Sequence, residues 1–494
     1  MAAKDFIVAI ELGSTKITGI AGKKSMDGSI QILAVVREDA TSCIRKGVVY
    51  NIDKTSVCLN NVIKKLRTLL KSDISQVYVG VGGQSIHSIK NVIVKNIPDD
   101  CVITQDMINE LMDNNRSMSY PDQEILDAAT QEYKVGTQYQ IDPVGIQCNK
   151  LEGNFLNILC RKSFYRNLNK CFESAGIAIA EMYLAPIALA HSVLTDTEKR
   201  SGCMLVDLGA DTTTVSVYYK NILRHLAVIP LGGNNVTKDI TSLQMEEKDA
   251  EELKLKYASA YTEPADIEKG KNIPIDNERT VDYQTFVDLV EARVNEIIEN
   301  AWYQVPKEYT SKLLGGIILT GGGSNMKNIK RAFTEKTRLT KVRIAGTVTQ
   351  NVTSTDKDVN AQNGTMCTAI GLLAKGDMNC AGQPISQKTD LFGGNNTTGS
   401  TTPIDTNRPP RKIGDLETGT VMTEREKQLI EDEKRRIQEA KAAKEKELRE
   451  YEEKLRQKEK EAAKKKNNRM GKMWSSITDF GKKLISDEED DNEK

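Results

Sequence analysis

The sequence predicts an α/β protein built from two related halves and followed by a charged appendage. Strand-like and helix-like segments alternate over residues 1 to about 380, a pattern that is typical of α/β architecture. Stretches that begin near residues 5 and 201 resemble each other, because each is an apolar run, an acid, a tight glycine turn and a second apolar run. This repeat indicates one half in residues 1–200 and another in residues 201–380.

Each half opens with a hairpin that carries an acid at the end of its first strand, and a third glycine turn follows later. In the first half Glu11 precedes a turn that contains Gly13, Ser14, Thr15 and Lys16. In the second half Asp207 precedes a turn that contains Gly209, Ala210, Asp211 and Thr212. The third turn follows the apolar run 316–319 and contains Gly321, Gly322, Gly323 and Ser324.

These turns have the composition of a nucleotide site. Glycine lets backbone approach a ligand closely, and N–H groups that point into one concavity suit phosphate oxygens. Lys16 adds a positive charge, while Glu11 and Asp207 suit the water shell of Mg²⁺. The third turn would seat the nucleoside. One glycine hairpin alone is more often structural, but three turns, two of them headed by acids, favour a nucleotide cleft.

Composition excludes several other classes of protein. The chain has 494 residues, with 69 Lys plus Arg and 69 Asp plus Glu, and this zero formal charge argues against a general nucleic-acid binder. Its nine cysteines are scattered without a C-x-x-C pair, which disfavours a disulfide framework or zinc module and favours a reducing cytosol. We expect no secretory signal and no membrane-spanning helix.

The composition changes after residue 380. Residues 381–422 are rich in Gly, Ser, Thr, Asn and Pro, and we expect a flexible, disordered linker there. Residues 423–466 form a charged helix with favourable i,i+4 pairs such as Glu431/Arg435 and Glu445/Arg449. A coiled coil is a weaker alternative, because Lys444 interrupts the apolar seam.

The sequence of residues 467–486 predicts an amphipathic helix that lies on a membrane surface, and an acidic tail follows at 487–494. At 100° per residue one arc of roughly 140° holds the apolar side chains, and the opposite side carries lysines. A helix docked on the protein's own core is the alternative interpretation. The membrane-facing set, with its flanking lysines, is Met470, Met473, Trp474, Ile477, Phe480, Lys482, Lys483, Leu484 and Ile485.

The chain resembles the FtsA family, the actin-like cell-division proteins of bacteria, from about residue 5 to 376 and again at the extreme C-terminus. The nucleotide turns alone would also fit Hsp70 chaperones and sugar kinases. Three stretches narrow the resemblance to this family, namely residues 131–133, 142–145 and 231–240. Further ordered matches are residues 46–49, 194–196, 223–225, 228–234, 236–240, 249–254 and 368–373.

The resemblance implies an actin-like ATPase fold, with two ribonuclease-H-like halves around a cleft that holds ATP and Mg²⁺. It also implies a family-specific subdomain at about 84–162 and a small lobe at about 235–310, with Glu251 and Lys254 beside the ribose and adenine. The implied function is to polymerise and to anchor the ring of FtsZ, the tubulin-like division GTPase, through that lobe. The implied location is the cytoplasmic face of the membrane at the septum, where later division proteins are recruited.

The second turn departs from the family pattern Asp-x-Gly-Gly-Gly-Thr-Thr-Asp. Ala210 requires a negative φ where the family has glycine. Asp211 brings a negative charge toward the phosphates, which should weaken binding unless the side chain turns to Mg²⁺ or to solvent. Glu11 replaces the more usual Asp and reaches further. We therefore expect ATP binding but at most weak hydrolysis, with no catalytic residue identified.

Two other functions remain open from the sequence. A small-molecule kinase or chaperone ATPase could use the same cleft, although a kinase needs a carboxylate base beside an acceptor pocket and we identify none. The other alternative is a coiled-coil scaffold with a vestigial ATP site, in which the charged helix would carry the function.

Overall fold

The computed structural model describes residues 5–98, 101–267, 271–275, 279–383 and 418–487. The chain divides into two compact units, Met1–Glu424 and Arg425–Lys494.

The strands that the structure describes all belong to the first unit. In chain order they are β1 Ile7–Leu12, β2 Lys16–Lys24, β3 Ile30–Asp39, β4 Ile44–Arg45, β5 Val48–Val49, β6 Gln76–Val81, β7 His87–Asn96, β8 Gln123–Val135, β9 Gln138–Gln140, β10 Lys150–Arg161, β11 Ala178–Leu184, β12 Cys203–Leu208, β13 Thr213–Tyr219, β14 Ile222–Ile229, β15 Asn272–Pro274, β16 Thr280–Asp282, β17 Gly316–Thr320, β18 Val342–Ile344, β19 Val352–Thr353 and β20 Thr420–Val421.

The helices alternate with these strands, and the last one forms the second unit. They are α1 Ile52–Leu70, α2 Gln105–Arg116, α3 Lys162–Ser174, α4 Ala185–Val193, α5 Asp196–Ser201, α6 Gly233–Thr241, α7 Glu247–Tyr257, α8 Tyr283–Tyr303, α9 Lys307–Thr310, α10 Ile329–Thr337, α11 Lys357–Asn360, α12 Cys367–Lys375 and α13 Glu424–Asp487.

The two halves repeat one sheet topology, as the hairpin repeat predicts. The first sheet has the order β19-β3-β2-β1-β6-β11-β20, in which β1, β2 and β3 are antiparallel and β6 and β11 add in parallel. In the second sheet β12, β13 and β14 form the same antiparallel meander, and β17 and β18 add in parallel. The hydrophobic cores of the two halves lie against these sheets.

An insertion between β6 and α3 extends the second sheet rather than the first. Its strands complete the order β18-β17-β12-β13-β14-β7-β10-β8-β9, and β7 meets β14 through the pair Ala227 and His87. The insertion has a small core of its own, formed by Ile97, Ile103, Ile108, Leu111, Tyr133, Leu151 and Phe155. The division at residue 200 therefore follows the repeat, but residues 87–161 precede that point and still belong to the second sheet.

The C-terminal end of the expected linker is part of the body. Residues 384–417 lie outside the described residues, whereas β20 pairs antiparallel with β11 and completes an edge of the first sheet. The expected boundary at residue 422 therefore differs from the structure. Val421 is the physical reason, because its apolar side chain is buried against the first core.

The second unit consists of α13, whose helical backbone is continuous from Glu424 to Asp487. The expected charged helix 423–466 and amphipathic helix 467–486 are thus one element, about 96 Å long at 1.5 Å per residue. Exposed ion pairs such as Arg449 with Glu445 lie along it. Among the described residues, no helix is both long enough and apolar enough to cross a bilayer.

Candidate functional site

The first two glycine turns have the same local geometry. The Gly13 N–H donates to the Lys16 carbonyl at 3.1 Å, and the Gly209 N–H donates to the Thr212 carbonyl at 2.9 Å. A Cβ added to either glycine would lie 2.8 Å from that carbonyl oxygen. Close approach within the turn therefore requires glycine at both positions. Ala210 has the negative φ that the sequence requires of it.

Both acids lie on the last residue but one of their strands. Glu11 on β1 lies opposite Thr18, and Asp207 on β12 lies opposite Thr214. Burial raises the pKa of Glu11 to about 8, with a further rise from the charge of Asp207 and an opposing effect of Lys16. Burial alone raises the pKa of Asp207 to about 6. The acids of the two halves therefore face one site, where a cation would relieve their repulsion.

The Asp211 carboxylate is held by donors from the protein. Its carboxylate accepts from the Lys46 N–H at 3.0 Å and from the side-chain amide of Asn234 at 2.8 Å. Lys46 follows β4 in the first half, so this carboxylate joins the two halves. The charge that the sequence places near the phosphates is thus held by two hydrogen bonds.

Some polar groups of the first turn form hydrogen bonds within the protein, and others form none. The Ser14 hydroxyl oxygen accepts from the Gly47 N–H at 2.9 Å, and the Thr15 carbonyl accepts from the Ala40 N–H at 3.0 Å. In the described part of the chain, no hydrogen bond uses the backbone N–H of Ser14 or Thr15. The same is true of Ala210 and Asp211 in the second turn. Unused N–H groups in paired turns fit a phosphate chain.

The third turn packs directly against the second acid. Gly321 has φ +80°, and a Cβ there would lie 2.3 Å from Asp207 Oδ1. A Cβ at Gly323 would lie 2.9 Å from Leu208. At Gly322 the nearest atom to an added Cβ would be Thr365 Cγ2, at 3.8 Å. Gly321 and Gly323 are therefore required by contact with β12, and Gly322 is the residue of this turn whose backbone a ligand can approach.

Ser324 does not face the cleft. Its side chain is fully buried, and its hydroxyl donates to the Gly321 carbonyl at 2.7 Å. Ser324 therefore supports the third turn, and its expected contact with a nucleotide stays a prediction. The turn continues as a short 3₁₀ helix, Gly322–Asn325, before α10 begins.

Glu251 and Lys254 lie side by side on α7, next to the first turn of α6. Lys254 Nζ lies 2.6 Å from the Glu251 carboxylate and donates to the Thr237 hydroxyl at 2.9 Å. It also donates to the Gly233 carbonyl at 3.2 Å, and the Gly233 N–H donates to the Gly209 carbonyl at 3.0 Å. The small lobe is thereby tied to the second turn.

Sequence reasoning missed two residues that the structure places at the site, Lys46 and Asn234. Asn234 also donates its backbone N–H to the Ala210 carbonyl at 2.7 Å. Both residues lie in stretches that carry the family resemblance, 46–49 and 228–234, but those stretches suggested no role for them. The Gly232-Gly233 pair at the start of α6 was the available signal, because such a pair marks a close backbone approach.

The predicted membrane segment lies at the C-terminal end of α13. Trp474 is 67% exposed and Ile477 is 57% exposed. The backbone is helical through 487, but the side chains of Met470, Met473, Phe480, Lys482, Lys483, Leu484 and Ile485 lie outside the described residues.

Comparison with family models matches two parts of this chain. The model described as "Cell division protein FtsA" matches residues 204–371, and the model described as "SHS2 domain inserted in FTSA" matches residues 83–159. The second range coincides with the insertion that extends the second sheet and with the expected subdomain at 84–162.

Several curated relatives carry the name cell division protein FtsA. That of Porphyromonas gingivalis is 33% identical over 331 residues, or 66% of this chain and 69% of the relative. That of Neisseria meningitidis is 30% identical and covers 67% of this chain and 81% of the relative.

A solved structure of the PilM-PilN type IV pilus biogenesis complex shares the fold. Its TM-score is 0.52 at 14% identity, and the match covers 74% of this chain and 97% of that chain. The sheet topology, the paired turns and these likenesses agree, and this chain belongs to the FtsA family of cell-division proteins, with an actin-like fold.

Proposed function

We propose that this protein binds ATP with Mg²⁺, polymerises like actin, and anchors the FtsZ ring to the cytoplasmic face of the membrane at the septum through its C-terminal helix. It would also help to recruit later division proteins. The observation that carries the nucleotide part is the acid pair, because Glu11 and Asp207 occupy equivalent strand positions in the two halves and the charge of Asp207 raises the pKa of Glu11, a repulsion that a cation would relieve.

The residues of the site fit magnesium and a nucleoside triphosphate. The unused N–H groups of Ser14, Thr15 and Ala210 would bind phosphate oxygens, with Lys16 adding positive charge. Glu11 and Asp207 would hold the water shell of the metal, which neutralises phosphate charge when bound. Gly322 and the Lys254–Glu251 pair would position the nucleoside.

The membrane part of the proposal rests on the composition of the end of α13. Fully burying one large apolar side chain contributes about 1.5–3 kcal/mol, and each lysine near an anionic leaflet adds about 1 kcal/mol. Trp474 and Ile477 are exposed and one helical turn apart. The acidic tail 487–494 opposes binding to anionic lipid, so a single copy should attach reversibly.

Polymerisation would link the two ends of the chain. Once one copy in a polymer is attached, each further attachment is effectively intramolecular and therefore much tighter overall. Assembly controlled by ATP would thus control residence on the membrane. FtsZ would bind the small lobe at 235–310, where Leu255 and Tyr303 are exposed apolar side chains.

Liposome co-sedimentation with and without ATP tests attachment and assembly separately. The double variant Trp474→Ala with Phe480→Glu should lose lipid binding but keep ATP binding by calorimetry. The matched control Ile437→Ala alters an exposed apolar residue earlier in α13 and should change neither. Unchanged co-sedimentation of the double variant would remove the anchor, and absence of ATP uptake by the wild type would remove the nucleotide part.

A further inference from the structure

The strand β20 completes an edge of the first sheet from far along the chain. Met182 on β11 lies opposite Val421, and the Leu184 N–H donates to the Gly419 carbonyl at 2.7 Å. Val421 is 1% exposed and Thr420 is 3% exposed. The segment is therefore buried like a core strand although its pairing is only two residues long.

A buried carboxylate from the insertion forms the other side of this contact. The Asp127 side chain on β8 is fully buried, and its Oδ2 accepts from the Gly419 N–H at 2.6 Å. Its Oδ1 accepts from the Ala128 N–H at 2.7 Å and lies 3.4 Å from Arg116. A buried carboxylate that loses a donor is strongly destabilised. This position therefore requires an occupant that offers a hydrogen-bond donor, and the Gly419 N–H supplies it here.

The contact also selects the shape of its occupant. Gly419 has φ +97°, and a Cβ there would lie 2.8 Å from Ile187 Cγ2. At the other end of the segment, the Tyr165 hydroxyl donates to the Met422 carbonyl. These contacts fit an extended peptide in which a glycine is followed by small β-branched residues.

We propose that the β11 edge, together with Asp127 and Tyr165, is a binding site for an extended peptide strand. Residues 418–422 of this chain are its resident ligand, and we name them the clasp. The clasp fixes the point at which α13 leaves the body, and it is releasable. This inference rests on contacts within the unit Met1–Glu424 and does not depend on the proposed membrane function.

The clasp restricts the start of α13 through chain length alone. Glu424 is three positions after Val421, so the first residue of α13 stays within about 11 Å of the docked strand. Without the clasp, the preceding described residue is Gln383, which is 41 positions before Glu424. A fully extended chain of that length reaches about 140 Å. Docking therefore changes the covalent reach of α13 by roughly an order of magnitude.

The nature of the pairing makes release physically reasonable. Strand addition at a sheet edge uses backbone hydrogen bonds that another extended segment can replace. The buried hydroxyl of Thr420 has no hydrogen-bond partner in the described part of the chain, so the fit is not optimal. In addition, the clasp contacts both β11 of the first sheet and β8 of the insertion, and a relative movement of these two parts would separate Gly419 from Asp127.

Hydrogen exchange of the full-length chain tests docking. Gly419→Ala introduces both the contact with Ile187 and an unfavourable φ, and should speed exchange of the Leu184 amide by about tenfold or more. Thr420→Val is the matched control, because it removes the unpartnered hydroxyl at similar volume, and should leave that rate unchanged or slower. Equal rates in Gly419→Ala and the wild type would overturn the clasp.

A labelled synthetic peptide with the sequence of residues 415–424 tests the site. It should bind full-length Gly419→Ala at least about tenfold more tightly than the wild type, whose own clasp competes. The same peptide carrying the Gly419→Ala change should bind neither protein. Absence of binding to the variant overturns the peptide site, and equal binding to both proteins overturns occupancy by the chain's own segment. Wild-type dimers dissolved by the peptide would instead assign the clasp to a second copy, and would overturn the intramolecular form.

Discussion

The Asp211 carboxylate accepts a hydrogen bond from the Lys46 N–H at 3.0 Å, and this contact joins the second half of the protein to the first. The same carboxylate accepts from Asn234 at 2.8 Å. A charged residue that should oppose phosphate binding therefore also fastens the two halves together. The charge of Asp211 should weaken nucleotide binding, whereas its hydrogen bonds hold together the two halves that form the site.

Replacing Asp211 should separate these effects. Asp211→Gly removes two hydrogen bonds, each contributing about 0.5–1.5 kcal/mol, so we expect a lower melting temperature without nucleotide. It also removes a negative charge beside the phosphates, which we expect to tighten ATP binding by about 1 kcal/mol, or roughly fivefold. Thermal melting and calorimetry measure the two results.

Asp211→Asn is the matched control for that change, since it keeps an acceptor oxygen but removes the charge. Its melting temperature should fall between those of the wild type and Asp211→Gly, and its gain in ATP affinity should match that of Asp211→Gly. If Asp211→Asn binds ATP no more tightly than the wild type, charge repulsion at this position is not significant.

The acid pair predicts a pH dependence of stability in the absence of metal. Because the folded-state pKa of Glu11 is raised to about 8 and that of Asp207 to about 6, the folded state holds protons that the unfolded chain has already lost. Stability should therefore fall as pH rises from about 4.5 toward 8. Both residues keep partial contact with solvent, which screens part of the effect, so we expect a loss of about 1–2 kcal/mol across this range.

Glu11→Gln tests that prediction, because it removes one member of the pair. The variant should melt at a higher temperature than the wild type at pH 8 and show a smaller change between pH 6 and pH 8. Magnesium should raise the wild-type melting temperature more at pH 8 than at pH 6, since metal binding requires ionised carboxylates. An identical pH profile for the variant would contradict the role assigned to Glu11.

The second glycine turn should tolerate one substitution and reject another. Gly209→Ala places a Cβ 2.8 Å from the Thr212 carbonyl oxygen, and the resulting distortion should cost about 1–3 kcal/mol and weaken ATP binding. Ala210→Gly restores the family residue at a position of negative φ and should leave ATP affinity almost unchanged. Calorimetry measures the ATP affinity of both variants. If Gly209→Ala binds ATP as tightly as the wild type, the turn is not closely packed.

The repeated hairpins and their acids were predictable from sequence because they are local. Glu11 and Gly13 lie within one turn of each other, and the second half repeats the same spacing at Asp207 and Gly209. The family and the fold are confirmed, while nucleotide and membrane contacts stay predictions. Topology then places both turns at the ends of equivalent strands, so their facing arrangement follows from the repeat.

Contacts between distant segments were not predictable in this way. Lys46 and Asp211 are separated by 165 positions, and nothing in either stretch indicates that the two meet. The clasp is a second case, because the sequence predicts its five residues as the end of the linker 381–422, which is rich in Gly, Ser, Thr, Asn and Pro. Val421 is buried against β11 in spite of that composition. This burial depends on the sheet edge, which forms only when the chain folds.

The small core around Phe155 predicts that the α2 side of the insertion can loosen without the rest of the body. Phe155 is fully buried in that core and packs edge-on against Tyr133 at 6.4 Å between ring centres. Phe155→Ala should cost about 3–5 kcal/mol. The core around Phe155 is a cluster of its own, although Leu126 and Ala129 of β8 and Leu156 and Ile158 of β10 pack in the core of the first half. We therefore expect amides of α2 to exchange faster while those of β1 and β12 stay protected. Val92→Ala on β7, at a side chain that is 50% exposed, is the control and should change the exchange of neither set of amides.

If Phe155→Ala instead lowered protection equally in β1 and β12, the insertion would unfold together with the two halves. A movement of β8 that releases the clasp could then not occur independently.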